Sequence, residues 1–288
     1  MIAYNTNYIF DFFNSNNEQF ENLENLEFSK IYEDINIYKY KIDFGTMQGR
    51  KIILSSNISF DQNECCSLFA IHISNVVTFS WKSKSKIIMV YLHPTTNQDL
   101  FKYYVLHTFS LFYFTVEEKY QFLHAGSVEI ENNAILFVAD SYGGKSTLTD
   151  YFIKQGHMLI SDDKVVVKDM NGKFYAIPSF PYHRPYRKIE DLGIHVKNYS
   201  NKCKSIQVIY ELSKSSSDDP IEIIELVGIE KFVALRYASE LNLPHLKDKR
   251  FEYLMKIAEK TPVYRINIPW DLKLLPNVYD KIIKHLGS

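Results

Sequence analysis

Residues 134–147, AILFVADSYGGKST, constrain the fold of this chain more than any other stretch. The run AILFVA is typical of a short buried strand, and STLTDYFIKQG fits a helix that Gly156 ends from the C′ position. In a strand, loop and helix of this kind, backbone N–H groups and the helix N-terminus point at an anion. Lys145 adds a positive charge, and Ser146 offers a hydroxyl to a metal ion. The pattern therefore predicts a phosphate-binding loop.

The loop departs from the Walker A pattern G-x-x-x-x-G-K-[S/T] at its first glycine, where Ala139 stands. Alanine is the smallest residue with a Cβ, so it is the least costly replacement if φ stays negative. Tyr142 could cover a nucleotide or a substrate, or simply lie on the surface. A glycine-rich turn with an incidental Lys–Ser pair is the alternative interpretation. The predicted nucleotide-binding residues are Asp140, Ser141, Tyr142, Gly143, Gly144, Lys145, Ser146 and Thr147.

An aspartate pair follows the loop after about one helix and one strand. The apolar run MLIS ends on Asp162 and Asp163. Phosphoryl transfer needs Mg²⁺ to neutralise the phosphates and a group that orients and deprotonates the acceptor hydroxyl, and two carboxylates beside the loop could divide those roles. Without the loop, such a pair before a lysine would more often be a solvated turn.

A histidine precedes the strand pair that feeds the loop. His124 lies in FLHAGSV, just before a predicted hairpin over 127–139. The hairpin could return its start toward the loop, which would allow His124 to hydrogen-bond one of the aspartates and tune a base. A lone histidine near an apolar strand is otherwise usually a core or surface residue.

Composition and charge exclude several classes of partner. The 33 basic and 34 acidic residues nearly cancel, so we expect neither nucleic acid nor a membrane surface as a partner. The three cysteines, at 65, 66 and 203, match neither a disulfide framework nor zinc knuckles, which favours a reducing, cytoplasmic setting. The first residues lack the pattern of a signal peptide, and the apolar stretch 103–116 is too short for a membrane span and predicts a buried core helix.

The chain length suggests two compact units. Short strand-like runs before residue 92 predict a largely β unit, a helix is expected over about 98–118, and we place the boundary at 118, which gives domains 1–118 and 119–288. The second part mixes strand and helix patterns, and no internal repeat is present. Its later predicted elements are a hairpin around Asn171-Gly172, a strand pair over 206–212 and 221–227, helices over 230–241 and 249–260, a strand over 263–268 and a C-terminal helix.

The order of these motifs resembles a known family. H-A-G-S-V, a short strand pair, A-D-S-Y-G-G-K-S-T and then G-H-M-L-I-S-D-D are similar to the C-terminal kinase domain of the HPr kinase/phosphorylase family and its shorter relatives, some encoded with ribosomal peptide natural products. The family loop resembles G-D-S-G-x-G-K-S, from which Ala139, Tyr142 and Gly143 depart. The similarity is good over 120–200, faint afterwards and only general before 118.

The resemblance implies an α/β fold: a P-loop kinase domain of the HPr kinase C-terminal type, with an N-terminal β-rich α+β domain that could recognise the acceptor. It implies an ATP- and Mg²⁺-dependent kinase acting on a serine-type hydroxyl. In that reading Asp162 is the base, His124 orients it and Lys145 holds the phosphates, while Ser146 and Asp163 contact the metal. The split of roles between the aspartates stays open, because neighbouring strand residues point to opposite faces.

A second part of the resemblance concerns the acceptor. HPr-phosphorylating members carry a stretch like E-I-R-G-L-G-I, whose glutamate helps to bind metal, whereas residues 188–194 here read KIEDLGI. Lys188 replaces the acid, so HPr is not expected as the acceptor, although Glu190 could substitute by a local shift. The preceding PSFPYHRPYRK resembles the shorter relatives. Arg184 and Arg187 could clamp a phosphate or an acidic substrate, or be solvated loop charges.

The function expected from these observations is a kinase that phosphorylates a hydroxyl, in the first place a serine, of a peptide or protein. One alternative is a kinase of a free small molecule, such as an amino acid or a sugar. Another is a nucleotide-binding regulatory protein without turnover. HPr kinases assemble as hexamers, but nothing in this sequence requires an oligomer, so a homo-oligomer is left open.

Overall fold

The computed structural model describes residues 1–10, 12, 23–35, 37–62, 67–140, 142–185 and 188–287. Two predicted site residues, Ser141 and Arg187, lie outside the described residues, as do the adjacent cysteines at 65 and 66. The chain forms two compact units. The first comprises Met1–Lys119 and Arg187–Leu192, and the second comprises Tyr120–Tyr186 and Gly193–Ser288. The sequence did not indicate the return of 187–192 to the first unit.

The first unit is built on one eight-stranded sheet. Its strands are β1 (Ile2–Ala3), β2 (Thr6–Phe10), β3 (Glu24–Ile31), β4 (Tyr40–Met47), β5 (Arg50–Ser56), β6 (Leu68–Ile73), β7 (Val77–Lys82) and β8 (Ile87–Leu92). The order across the sheet is β1-β2-β3-β8-β7-β6-β5-β4. Strands β2, β3 and β8 run parallel, whereas neighbours from β8 to β4 are antiparallel. The short strand runs of the sequence thus lie in a single sheet.

A buried helical stretch packs on this sheet. It consists of α1 (Gln98–Tyr104), a π-helical turn (Val105–Phe109) and α2 (Ser110–Val116). Every residue over 103–116 is buried, which confirms the predicted core helix. In the part of the chain that the structure describes, no helix combines the length and hydrophobicity needed to cross a membrane. Aromatic rings fill the core with centroids 4.7–6.3 Å apart.

An ion pair holds the return segment within the first unit. The Glu190 carboxylate accepts hydrogen bonds from Arg50 Nε at 2.6 Å and from Tyr104 Oη at 2.8 Å. The hydrogen bond from Arg50 lowers the pKa of the Glu190 carboxyl below its ordinary value, against an opposing effect of burial. The carboxylate is therefore already bonded to two donors of the first unit.

The second unit contains the remaining strands. They are β9 (Gln121–Ile130), β10 (Asn133–Val138), β11 (Met158–Ser161), β12 (Lys164–Met170), β13 (Lys173–Ile177), β14 (Tyr182–His183), β15 (Ile194–His195), β16 (Lys204–Ser215), β17 (Ile223–Glu225) and β18 (Val263–Pro269). The sheet order is β10-β9-β12-β13-β16-β18-β17, with β11 paired to β9 and β10 also paired to β16. Strands β14 and β15 form a separate pair.

The middle of this sheet is parallel. Strand β10 runs parallel to β16, and β16 runs parallel to β18. The predicted strand pair over 206–212 and 221–227 is wrong, because β17 pairs with β18 instead of β16. Strand β16 pairs with β10 along one edge and with β18 along the other, so no edge is left for β17.

Helices cover both faces of the parallel strands. They are α3 (Lys145–Lys154), α4 (Ile229–Tyr237), α5 (Lys247–Lys260) and α6 (Leu275–Leu286), with 3₁₀ turns at Pro244–Leu246 and Leu272–Leu274. Neighbouring residues of β10 point to opposite faces. Leu136 joins a core with Leu254 of α5, whereas Phe137 joins a second core with Phe152 of α3 and Val278 of α6. The second unit is therefore mixed α/β, as predicted.

One glycine of the H-A-G-S-V motif sets the distance between α3 and β9. A Cβ added at Gly126 would lie 2.2 Å from Thr149 Oγ1. Real Cβ atoms do not approach other atoms so closely, so a side chain here would push α3 away from the sheet. Gly126 therefore positions the helix that follows the predicted phosphate loop.

Candidate active site

The predicted phosphate loop connects β10 to α3. Gly144 has φ of +90° and stands at the N-cap of α3, while Tyr142 has φ of +61°. The Gly143 N–H donates to the Asp140 carbonyl at 2.9 Å and closes a tight turn. Ala139 is absent from the described residues with positive φ, so it fits the first loop position without backbone strain.

A close contact explains two departures from the family loop together. A Cβ added at Gly143 would lie 2.6 Å from the Ala139 Cβ and 2.9 Å from the Asp140 carbonyl oxygen. The family pattern has glycine at the position of Ala139 and accepts other residues at the position of Gly143. In this chain position 139 carries a Cβ and position 143 is glycine, so the two facing positions do not clash.

The lysine of the loop is buried and folds back onto its own turn. The side-chain nitrogen of Lys145 donates to the Ala139 carbonyl at 2.7 Å and lies 3.4 Å from the Asp140 carbonyl. The first helical hydrogen bond of α3 runs from the Leu148 N–H to the Gly144 carbonyl. The N–H groups before Leu148 belong to the helix start, where no intrahelical acceptor exists. The positive charge of Lys145 and the N-terminal end of α3 therefore meet at this loop, which suits an anion.

The aspartate pair lies in the turn between β11 and β12. Asp162 is only 6% exposed, and its Oδ2 accepts the backbone N–H of Arg184 at 2.7 Å. Its Oδ1 lies 2.9 Å from His183 Nδ1, but the two groups are not aligned for a hydrogen bond. Asp163 has a different environment: its Oδ1 lies 3.3 Å from His124 Nδ1, and its Oδ2 lies 3.5 Å from the Arg184 guanidinium.

The histidine predicted to orient Asp162 instead contacts Asp163. His124 Nδ1 lies 2.8 Å from Glu240 Oε1 and 3.3 Å from the Asp163 carboxylate. The sequence predicted that His124 contacts one of the two aspartates, and the structure gives Asp163, not Asp162, as that aspartate. Successive residues at a strand end point to different sides, and here Asp162 points toward Arg184 and His183.

Strand pairing places this cluster next to the loop. Ala125 pairs with Val138 across β9 and β10, so His124 lies opposite the start of the loop at Ala139. The Ala125 N–H donates to the Asp163 carbonyl at 3.2 Å. Adjacent strands are about 4.8 Å apart. The predicted histidine, the second aspartate and the predicted phosphate loop are therefore neighbours.

Sequence reasoning missed Glu240, which comes from the residues after α4. The predicted helix over 230–241 ends at Tyr237, and the chain then pairs with β9. The His124 N–H donates to the Ala238 carbonyl at 2.5 Å, and the Glu240 N–H donates to the Phe122 carbonyl at 3.4 Å. No glycine or proline marks this helix end. Local sequence therefore carries no signal that would have found Glu240.

Arg184 is not a solvated loop charge. Its side chain is only 9% exposed, its N–H is bonded to Asp162 and its guanidinium faces Asp163. Gly193 makes this placement possible: it has φ of +96°, and a Cβ there would lie 2.5 Å from both Arg184 Cγ and the His183 carbonyl oxygen. The glycine of the KIEDLGI stretch thus fixes the segment that carries Arg184.

The cluster offers ligands for a divalent cation. One ligand atom each from His124, Asp163 and Glu240 lie within 4.8 Å of one another. Mg²⁺ prefers oxygen ligands and is commonly held by one or two carboxylates together with water and substrate phosphates. The two carboxylates fit Mg²⁺, whereas the imidazole nitrogen does not. Glu190, considered from sequence as a replacement ligand, is bonded to Arg50 and Tyr104 in the first unit.

A cavity of about 700 Å³ with mixed polar and apolar walls borders the loop. It is lined by Asp140 and Gly143 of the loop, by the last part of β16, by Arg265 of β18, and by α4. Glu211 and Arg265 form an ion pair at 2.7 Å in its wall. The sequence did not indicate this cavity, because its walls come from four separate stretches of the chain.

The amino-acid sequence is similar to those of two HPr kinase/phosphorylases. No protein-family model matches the chain. It is 28% identical over 203 residues to an HPr kinase/phosphorylase of Mycoplasmopsis pulmonis, a match that covers 66% of this chain and 60% of the relative. It is 26% identical over 152 residues to an HPr kinase/phosphorylase of Clostridium tetani, covering 50% of this chain and 49% of the relative. The chain therefore spans about half to three fifths of the length of these relatives.

A solved structure is also similar. The Hpr(Ser) kinase/phosphatase from Coxiella burnetii is 17% identical, with a TM-score of 0.37, and the match covers 58% of this chain and 99% of that chain. The two curated relatives confirm the predicted resemblance. The chain is therefore similar in sequence to HPr kinase/phosphorylases over part of their length.

Proposed function

We propose that this protein is an ATP- and Mg²⁺-dependent kinase that transfers a phosphoryl group to a hydroxyl, in the first place a serine of a peptide or protein. Its second unit would then be a P-loop kinase domain of the HPr kinase C-terminal type. The observation that carries the proposal is that Asp163, His124 and Arg184 meet beside a phosphate loop that holds a buried lysine. Phosphoryl transfer depends on such a combination of positioning and charge.

The loop would hold the phosphates of ATP. The N–H groups at the start of α3 and the ammonium of Lys145 would bind phosphate oxygens in place of the Ala139 carbonyl, which now accepts from Lys145 at 2.7 Å. Ser146, at the second position of α3, would hold Mg²⁺ together with Glu240, whose carboxylate also contacts His124. When bound, Mg²⁺ neutralises the charge on the phosphates.

We propose that the Asp163 carboxylate binds the acceptor hydroxyl. Its carboxylate lies between His124 and Arg184, whereas the Asp162 carboxylate is buried and accepts the Arg184 N–H. Asp163 would orient the hydroxyl and receive its proton. His124, itself held by Glu240, would orient the Asp163 carboxylate. Arg184 would stabilise charge on the transferred phosphoryl group, and Asp162 would position Arg184.

The alternative assignment has Asp162 as the base and Asp163 on Mg²⁺, as the sequence suggested. Matched variants separate the two. In our assignment, Asp163→Asn lowers kcat by about 10²-fold with nearly unchanged Mg-ATP affinity, the scale of losing a general base. Asp162→Asn should have a smaller effect. A large kcat loss confined to Asp162→Asn, together with an altered Mg²⁺ requirement in Asp163→Asn, would restore the first assignment.

Removal of the loop lysine tests the proposal as a whole. Lys145→Ala should weaken Mg-ATP binding about tenfold or more, because it removes a charged hydrogen-bond donor, and should abolish phosphoryl transfer. Lys256→Ala, an exposed lysine of α5, is the matched control and should change neither. The measurements are calorimetric titration with a non-hydrolysable ATP analogue and mass spectrometry of the acceptor. If the two variants bound the ATP analogue with equal affinity, Lys145 would not be part of the nucleotide site.

The acceptor would be a peptide or a protein other than HPr. The relatives are named for HPr, but Lys188 stands here where the HPr-phosphorylating pattern has an acid. Among the described strands, β4 lies at one edge of the first unit's sheet and is largely exposed, so a peptide could add to it as a further strand. Mass spectrometry after incubation with HPr, serine-containing peptides and free serine tests this. Efficient labelling of HPr would overturn it.

A kinase of a free small molecule is a second candidate, favoured by the cavity beside Asp140 and Gly143. Its volume of about 700 Å³ lies within the range of small-molecule sites. Saturable phosphorylation of free serine or a sugar, with no labelling of peptides, would favour this candidate. Nucleotide binding without consumption of ATP for any acceptor would instead indicate a regulatory protein.

A further inference from the structure

An apolar slot lies beside the phosphate loop, on the side where β18 ends. It has a volume of about 250 Å³ and is bounded by Gly144 and Thr147 at the start of α3 and by Pro269, Trp270 and Leu272 after β18. The slot belongs entirely to the second unit. Residues of the loop therefore form part of its wall.

Two large apolar side chains of the slot are unusually exposed. Trp270 is 58% exposed and Leu272 is 73% exposed, whereas Trp81, the other tryptophan of the chain, is fully buried. Adjacent exposed apolar groups that rim a concave surface next to polar donors are typical of a ligand site. Their position argues for a ligand that is flat and apolar at one end.

Trp270 has neighbours on its backbone and on its ring. Its backbone N–H donates to the Ser215 carbonyl at 3.2 Å, and the Lys214 ammonium lies 3.9 Å from the ring centroid. A Cβ added at Gly144 would lie 3.7 Å from Trp270 Cζ3, so the ring edge faces this position of the loop. Lys214 lies over the ring, and Trp270 as a whole is still 58% exposed.

We propose that this slot binds the base of the nucleotide whose phosphates the loop holds, with Trp270 as the stacking surface. The inference rests on the proposed function, because it takes ATP as the phosphoryl donor. Gly144 and Thr147 belong both to the loop and to the slot, so one ligand with a polyanionic end and a flat aromatic end fits both. Aromatic side chains stack on nucleobases through their faces, which suits the exposed Trp270.

The test compares two ligands that share the polyphosphate and differ in the base. Mg-ATP and Mg-tripolyphosphate are titrated calorimetrically into the wild-type chain, Trp270→Ala, Trp270→Phe and Phe251→Ala, which removes an exposed aromatic of α5 as the control. Trp270→Ala should weaken Mg-ATP binding about 5- to 100-fold, the range for loss of one base stack. Its affinity for Mg-tripolyphosphate should change less than about twofold. Trp270→Phe should stay within about threefold for both ligands.

Tryptophan fluorescence gives an independent readout. Mg-ATP should quench the exposed Trp270, Mg-tripolyphosphate should not, and the quenching should vanish in Trp270→Phe, which keeps only the buried Trp81. Circular dichroism establishes that each variant is folded.

Four outcomes overturn the inference. The first is an equal loss of affinity for both ligands in Trp270→Ala, and the second is no loss for either. The third is weaker binding of the acceptor peptide to Trp270→Ala with unchanged affinity for Mg-ATP, which would assign the slot to the acceptor. In these three cases the proposed function stands if Lys145→Ala still weakens binding of both ligands. If the wild-type chain binds neither ligand, the proposed function fails together with this inference.

Discussion

The contact between loop positions 139 and 143 makes a quantitative prediction. A Cβ added at Gly143 would meet the Ala139 Cβ at 2.6 Å and the Asp140 carbonyl oxygen at 2.9 Å, both shorter than ordinary van der Waals contact. The turn cannot open easily, because the Gly143 N–H donates to that same carbonyl at 2.9 Å. Gly143→Ala should therefore strain the loop, and the strain should depend on the side chain at position 139.

The magnitude follows from two opposing effects. Overpacking of a tight site costs about 1–3 kcal/mol, whereas replacing glycine restricts the unfolded chain and stabilises by about 0.4–1 kcal/mol. Gly143→Ala should therefore destabilise by about 0.5–2 kcal/mol. Adding Ala139→Gly removes the 2.6 Å contact and leaves the contact with the carbonyl, so rescue should be partial. We expect a coupling energy of about 0.5–2 kcal/mol in favour of the double variant.

The assay is urea denaturation of the wild-type chain, both single variants and the double variant, with Mg-ATP titration of each folded protein. Gly287→Ala is the control, because its added Cβ would have no neighbour closer than 3.7 Å. The double variant should also recover part of any nucleotide affinity that Gly143→Ala loses. Additive destabilisation by the two single changes would refute the reasoning, since it would mean that the two positions do not meet.

Three further predictions concern other positions. Tyr142→Gly should stabilise the chain by up to about 1 kcal/mol in urea denaturation, because φ of +61° is unfavourable for a bulky residue; a loss of stability would show that the ring makes compensating contacts. Arg50 lowers the pKa of Glu190 from its ordinary value of 4.5, so their pairing stabilises the fold fully above that pH and less as pH falls through the lowered pKa. The stability advantage of the wild-type chain over Glu190→Gln should therefore shrink in acid, and a constant difference between pH 7 and pH 3 would contradict this. Glu240→Gln should weaken Mg²⁺ binding to the ADP-bound protein in calorimetric titration, whereas Glu190→Gln should not, and equal effects would reject Glu240 as a ligand.

The sequence predicted the parts of the fold that local pattern determines. Strand β10, the loop and α3 follow one another within about 20 residues, and each has its own signal: an apolar run, paired glycines and a helix that ends near Gly156. The buried helix over 103–116 was predictable for the same reason, because most of its residues are apolar. Hydrophobic patterning within one element is a local property.

Partners that are distant along the chain could not be predicted in this way. Glu240 reaches His124 across 116 residues, and it does so by backbone pairing after a helix end without glycine or proline. The pairing of β17 with β18 instead of β16 has the same cause, since any of several strands could satisfy the same apolar run. The Trp270 slot likewise joins the start of α3 to a segment more than a hundred residues later.

The substitution of Lys188 for an acid raised the question of whether the site lacks a second carboxylate. Glu190, the nearest acid in that stretch, is bonded to Arg50 and Tyr104 and holds the return segment in the first unit. Glu240 brings a carboxylate to Asp163 and His124 from the opposite end of the second unit's sequence. Because Mg²⁺ selects oxygen ligands by type and spacing, not by their place along the chain, a carboxylate from after α4 can serve as well as one from 188. The departure at Lys188 therefore argues against HPr as the acceptor more strongly than it argues against catalysis.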